Sequence, residues 1–168
     1  MKLCRYGDNG DEKPGMIDAD GRLRDLSTVV DTIGPNEISP RGLNVLARVE
    51  PASLPVVAHS PRLGVPYVGI GKFVAIGLNY SDHAKEAGMP IPSEPIVFMK
   101  AVTCISGPND DVVQPKHSTK LDWEVELGVV IGPGGKDILA EDAMKHVWGY
   151  TVINDVSWRD LQRRHGGQ

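Results

Sequence analysis

Short apolar runs set off by glycine and proline, rather than long amphipathic repeats, pattern this chain. Leu3-Cys4-Arg5-Tyr6 starts a strand, and residues 15–18 and 22–26 flank Ala19-Asp20-Gly21, whose Asp-Gly step predicts a hairpin turn. Ser39-Pro40 offers an N-cap followed by proline at the first helical position, and Leu43, Leu46 and Ala47 recur at helical spacing, so a short helix is predicted there. Pro51, Pro55, Pro61 and Pro66 crowd a stretch too proline-rich for an ordinary helix or a central strand, which predicts a linker or extended arm.

A second unit opens with the apolar strand at residues 72–78, which runs into a short helix over residues 79–88. Asn79 or Ser81 is its expected cap, Asp82 suits its positive end, and Gly88 with Pro90 stops it. Residues 96–100 form a strand ending in Lys100, and residues 105–113 read as a turn feeding another strand. Residues 121–132 read as one strand, apolar on both sides after Glu126, which predicts burial of both its faces for much of its length. A glycine-rich turn at residues 132–136, a short helix over 140–146, a strand over 147–153 and a helix over 157–164 complete the order. The expected organisation is a small β-rich domain at residues 1–66, ending in the proline-rich linker, and a second unit at residues 67–168.

Candidate chemistry gathers in that second unit. Side chains two apart on a strand share a face, which places Glu124 and Glu126 together with their Cα atoms about 7 Å apart. The strand over 147–153 ends in Asn154-Asp155 and delivers a third carboxylate. Three acidic oxygen donors without cysteine or histidine suit a hard cation, Mg²⁺ or Mn²⁺, better than zinc. The same E-x-E spacing also suits the solvated face of a half-buried sheet. His83 and Glu86 lie three apart on one helical face, within hydrogen-bonding reach, as a general base and its orienting carboxylate or as a solvated pair. Lys100 has a surface reading as well. Arg159 and Gln162 share a face of the helix that follows Asp155, within reach of whatever Asp155 binds. Asp110 and Asp111 read as loop acids.

Composition narrows the classes. With 168 residues, 40% of them hydrophobic, and a net charge of −4, the chain suffices for one cored domain with a small accessory one. The densest basic run, Arg159 to Arg164, is broken by Asp160, Leu161 and Gln162, so nucleic acid is not an expected partner. Cys4 and Cys104 read as free thiols of a reducing compartment. No run approaches the ~18 apolar residues of a membrane span. The expected location is the cytoplasm.

Taken in order, Gly77-Leu78-Asn79-Tyr80 with His83 and Glu86, Phe98-x-Lys100, Asp122-Trp123-Glu124-Val125-Glu126-Leu127, and Asn154-Asp155-Val156-Ser157 with Arg159 and Gln162 resemble the fumarylacetoacetate hydrolase family, in particular its shorter bacterial members. The resemblance implies an α+β, mostly β fold: a mixed β-roll catalytic domain preceded by a small N-terminal domain, commonly dimeric. It implies that Glu124, Glu126 and Asp155 hold Mg²⁺ or Mn²⁺, that His83 and Glu86 activate water, that Lys100 lies close to the site, and that Arg159 and Gln162 face substrate. Ile76 stands where the longer members carry a fourth carboxylate, and the family continues well beyond the position of Gln168, so the chain is expected to be part of a longer β-roll. The implied activity is hydrolytic cleavage of a C–C bond in a 2,4-diketo acid with release of pyruvate. Oxaloacetate decarboxylation and keto-enol isomerisation use the same chemistry and stay open, as does a non-catalytic oxo-acid-binding remnant.

Overall fold

A computed structural model describes residues 1–164; the chain's last position, Gln168, from which the expected continuation was counted, lies outside the described residues. The N-terminal part is a three-stranded antiparallel sheet, β1 (Lys2–Tyr6), β2 (Lys13–Ile17) and β3 (Leu23–Asp25), in sequence order. The predicted hairpin joins β2 to β3. Asp18 closes it by accepting the Asp20 and Arg22 N–H groups at 2.9 Å each, and Gly21 supplies the positive φ of +81° that the turn requires.

The predicted helix is α1 (Pro40–Leu46), capped as expected by Ser39, whose Oγ accepts the Gly42 N–H at 3.1 Å. Gly42 has a steric reason to be glycine, since a Cβ there would lie 2.3 Å from the Asn36 carbonyl oxygen. Met16, Leu26, Leu46 and Leu54 bury one core between this helix and the sheet.

The proline-rich stretch is fastened rather than free. It contains a 3₁₀ turn at Pro51–Ser53 and returns to the sheet through bridges of Val56 with Arg24 and Leu63 with Tyr6. Arg62 then ties it onward, donating to both Asp110 oxygens at 2.6 and 2.7 Å and to Glu12 at 2.9 Å, while Arg5 holds the other Glu12 oxygen at 3.1 Å. Asp110 is therefore a structural anchor at a turn, not a solvated acid. The strand expected to follow it does not form: residues 111–115 take no regular structure, and Val112 and Val113 are exposed.

Strands β4 (Phe73–Gly77) and β5 (Ile96–Lys100) pair antiparallel, Phe73 opposite Lys100 and Gly77 opposite Ile96. Between them lies α2 (Ser81–Glu86). Neither expected residue caps it: the N-cap is Tyr80, which makes no side-chain capping bond. Its end follows the expectation. Gly88 takes φ +64°, and Met89 and Gly88 donate to the Ala84 and Lys85 carbonyls at 2.9 and 3.2 Å, the paired bonds of a Schellman motif.

The long strand expected over residues 121–132 is two strands, β6 (Leu121–Asp122) and β7 (Val125–Ile131), broken at Trp123-Glu124. β7 pairs antiparallel with β8 (Val147–Asn154), which a 3₁₀ turn at Ala140–His146 precedes. β6 pairs with β9 (Ser157–Trp158), and α3 (Arg159–Arg164) follows. The break is where the two ladders cross: Asp155 donates its N–H to the Glu124 carbonyl at 2.8 Å, and the Glu124 N–H donates to the Asn154 side chain at 3.2 Å.

Burial of β7 corrects the expectation of a strand covered on both faces. Gly128 and Val130 are buried and Glu126 is half-buried, whereas Val125 and Leu127 on the opposite face are 67% and 60% exposed. Val130 joins Ile33 and Ile38 in a second core, flanked by Tyr67 and Trp148, which packs this strand pair against the N-terminal part. Among the described residues no helix is long and apolar enough to cross a membrane.

Two outcomes follow for stability. Leu26 is fully buried in the first core, so Leu26→Ala should cost about 2–5 kcal/mol, read as a lowered urea midpoint at unchanged slope. Hydrogen bonds from Arg62 hold the Glu12 and Asp110 carboxyls below the usual carboxylate range. Burial opposes the charge on Asp18, but donation from Arg22, Arg24 and Asp20 outweighs it and lowers that carboxyl too. Depressed folded values mean that this stabilisation is complete above the ordinary carboxylate range near pH 4 and drains as pH falls through the lower folded values. Melting temperature should accordingly hold steady from pH 7 to about 5 and fall steeply below about 4.

Candidate active site

The β7–β8 register builds the acidic centre. Val125 lies opposite Asn154 and Glu126 opposite Ile153, so the end of β8 delivers Asp155 beside the Glu124–Glu126 segment. Glu124, Glu126 and Asp155 are all half-buried. Burial raises the Glu126 carboxyl above its ordinary value and repulsion from Glu124 and Asp155 adds to the rise, while the Tyr80 hydroxyl and the positive charge of His83 oppose it.

Two cations answer that negative charge. Lys100, at the end of β5, places Nζ 2.8 Å from an Asp155 oxygen and 5.4 Å from the centre of the Phe98 ring, its neighbour two residues back on the same strand face. Arg159, at the start of α3, meets Glu124 at 2.5 Å and Asp122 at 2.8 Å and donates to the Gln162 side chain at 3.1 Å. Asp122, with no role assigned from sequence, is therefore the second anchor of Arg159, and that guanidinium holds its carboxyl below the usual range.

The structure brings together Glu124, Glu126 and Asp155 at the β7–β8 pair, with Lys100 on Asp155 and with Arg159, which also holds Gln162, on Glu124; His83 is exposed on α2 and makes no hydrogen bond to them among the described residues. The structure does not join Glu86 to them either: Glu86 and His83 are both exposed on α2, and no hydrogen bond links them among the described residues. Nor do three His, Cys, Asp or Glu side chains converge to ligating distance among the described residues; Lys100 and Arg159 each hold one carboxylate. The donor chemistry, three crowded carboxylates whose repulsion is only partly offset, fits a hard divalent cation. Tyr80 had no assigned role either. Its hydroxyl accepts the Leu127 N–H at 3.0 Å, across 47 positions of sequence that no local spacing connects.

A mostly β, α+β scaffold thus gathers three carboxylates and two cations at its strand ends. Comparison with known proteins makes the class specific. The family described as fumarylacetoacetate hydrolase, C-terminal, matches residues 72–168, and the chain belongs to the fumarylacetoacetate hydrolase family. Over 168 residues it is 54% identical to a Burkholderia lata protein whose description goes no further than a hydrolase assignment, covering 100% of this chain and 60% of that protein. It is 34% identical, at a TM-score of 0.80, to a fumarylacetoacetate hydrolase from the psychrophile Exiguobacterium antarcticum, covering 98% of this chain and 59% of that one. A Mycobacterium smegmatis 5-carboxymethyl-2-hydroxymuconate delta-isomerase is 30% identical at a TM-score of 0.66, covering 100% and 60%. The chain spans about 60% of the length of the curated relatives it matches. The fold is that of the family, and hydrolases and isomerases both stand among its neighbours.

Proposed function

We propose that the protein is a divalent-metal-dependent hydrolase that cleaves a C–C bond in a 2,4-diketo acid, an acylpyruvate or diketo-deoxy sugar acid, and releases pyruvate. The observation that supports this reading is the β7–β8 register, which delivers Asp155 beside the Glu124–Glu126 segment, with Lys100 and Arg159 paired to those carboxylates. Glu124, Glu126 and Asp155 are the residues that would hold Mg²⁺ or Mn²⁺, and the bound ion supplies Lewis-acid polarisation of a chelating 2-oxo acid.

The chain's own residues do the rest. His83 takes a proton from water as the resulting hydroxide adds to the distal carbonyl carbon. The C–C bond then breaks, leaving the distal fragment as a carboxylic acid and the other as a pyruvate enolate, which gains a proton to become pyruvate. Glu86, three residues along α2, makes no hydrogen bond to His83 among the described residues, so its part as the orienting carboxylate of the dyad requires the two side chains to meet when substrate binds. Lys100, with a donor already turned into the carboxylate cluster, sits where a substrate oxyanion needs a positive partner. Arg159 and Gln162, already hydrogen-bonded to each other, present a planar donor set suited to a substrate carboxylate.

In this reading residues 67–168 belong to the catalytic β-roll domain and residues 1–66 form a small β-rich domain before it. The enzyme works as a cytoplasmic homodimer on a small-molecule substrate, with no nucleic-acid or membrane partner. A second reading, decarboxylation of oxaloacetate or keto-enol isomerisation, needs the same carboxylates but no attacking water. The separation of His83 from Glu86 and the isomerase among the structural neighbours favour keeping it.

Two variants test the assignment. Glu126→Ala should abolish Mn²⁺ binding measured by calorimetry. His83→Ala should bind Mn²⁺ as tightly as the parent yet lose about 10²–10⁴-fold in pyruvate release. Parental turnover in the Glu126→Ala protein would refute the site.

A further inference from the structure

The Arg159 guanidinium is gripped along one edge. Its Nε donates to an Asp122 oxygen at 2.8 Å, and its Nη1 meets Glu124 at 2.5 Å and donates to the Gln162 side-chain carbonyl at 3.1 Å. The backbone sets up this grip. β6 and β9 pair with Leu121 opposite Trp158 and Asp122 opposite Ser157, and the Arg159 N–H extends that ladder by donating to the Lys120 carbonyl at 3.0 Å. α3 therefore starts alongside β6, and the half-buried Arg159 side chain lies within reach of the Asp122 carboxylate.

Asp122 is itself held. Its other oxygen accepts the Trp123 N–H at 3.0 Å, a bond to the next residue that fixes the carboxylate against its own backbone. One oxygen is thus tied locally and the other faces the guanidinium. Of the two carboxylates on Arg159, Glu124 is among the residues that would hold the ion, whereas Asp122 has no other duty. It is the anchor that stays with Arg159 when Glu124 is engaged elsewhere.

The donors left over define what the grip is for. A guanidinium carries five N–H groups and no acceptor. Nε and Nη1 face Asp122, Glu124 and Gln162, which leaves the pair on Nη2 without a hydrogen-bond partner among the described residues. Because the Gln162 carbonyl accepts from Arg159, the amide nitrogen takes the other branch, and its N–H groups are likewise unpaired among the described residues. Charged and neutral N–H groups side by side suit the paired oxygens of a carboxylate.

We propose that Asp122 is a positioning residue: by holding the Nε edge of Arg159 it presents the opposite edge, together with the Gln162 amide, to the carboxylate of the substrate. The proposal rests on the hydrolase reading above and names the residue that sets how tightly substrate is held within it. Asp122 touches no reacting atom, so its loss acts on KM rather than on kcat.

The test is steady-state pyruvate release by the longest chain the gene encodes, from whichever of a panel of acylpyruvates and diketo-deoxy sugar acids the parent turns over best. The forms compared are the parent, Asp122→Ala, Asp122→Asn, Arg159→Lys and the Asp122→Ala/Arg159→Lys double variant, with melting temperatures alongside. Asp122→Ala should raise KM by about 10–100-fold with kcat within about threefold of the parent. Asp122→Asn keeps an acceptor oxygen and should recover most of that loss. Arg159→Lys removes the planar fork and should raise KM by itself, and the double variant should be no worse than Arg159→Lys, since the two residues act as one unit. Melting temperatures should stay within about 3 °C of the parent. An unchanged KM in Asp122→Ala would overturn the proposal and leave the hydrolase reading standing. So would a double variant whose KM rises by the product of the two single increases, because Asp122 would then act independently of Arg159. A fall in kcat with a melting temperature lowered by more than about 8 °C would reduce Asp122 to a structural tie and overturn the proposal as well. A parent chain that releases pyruvate from none of the panel would overturn the hydrolase reading and the proposal with it.

Discussion

Everything at the acidic centre depends on the register between β7 and β8. Side chains alternate faces along a strand, so a slip of one residue would turn Glu126 away from Asp155 and bury Leu127 in its place. The register is held by contact as well as by hydrogen bonds: a Cβ on Gly128 would meet Ile153 Cδ1 at 2.6 Å and Thr151 Cγ2 at 2.8 Å, so the two strands approach as closely as they do because that position is bare. At the other end Val130 is locked into the core with Ile33 and Ile38. The N-terminal part thus contributes to the site without touching it, by anchoring the strand that carries Glu126.

Charge is the second constraint. Three carboxylates brought together by that register repel, and the chain offsets them from outside the strand pair: Lys100 from the end of β5 and Arg159 from the start of α3. These cations are attached to elements of separate origin, so the electrostatics of the centre also tie β5 and α3 to the β7–β8 pair. Lys100 thus pairs with Asp155 at 2.8 Å and Arg159 with Glu124 at 2.5 Å, so two of the three carboxylates are held by cations from outside the strand pair.

Much of this was legible in the sequence. Local signals decided the Asp20-Gly21 turn, the Ser39-Pro40 cap and the Gly88 stop, because each depends on the backbone preferences of one or two residues. The family resemblance, carried by spaced motifs, was shown by comparison with known proteins. What the pattern did not reveal depends on partners far along the chain. Residues 121–132 read as one apolar strand, but the crossing of two ladders at Glu124 breaks it, and β7 is covered on one face only. Asp110 read as a loop acid because nothing local marks Arg62, 48 positions earlier, as its partner. His83 and Glu86 share helical spacing yet do not meet, since spacing sets reach and not contact. Tyr80 and Asp122 were visible only as motif letters until the fold supplied Leu127 and Arg159.

The central claim is that these carboxylates and His83 serve hydrolysis of a diketo acid, and pyruvate release tests it most directly. The assay takes the longest chain the gene encodes, a panel of 2,4-diketo acids together with oxaloacetate, and parallel reactions with Mg²⁺ and with a chelator. Pyruvate from a diketo acid, dependent on the metal and abolished by the chelator, is the predicted result. Pyruvate from oxaloacetate alone, or none from any diketo acid while metal is demonstrably bound, would contradict it.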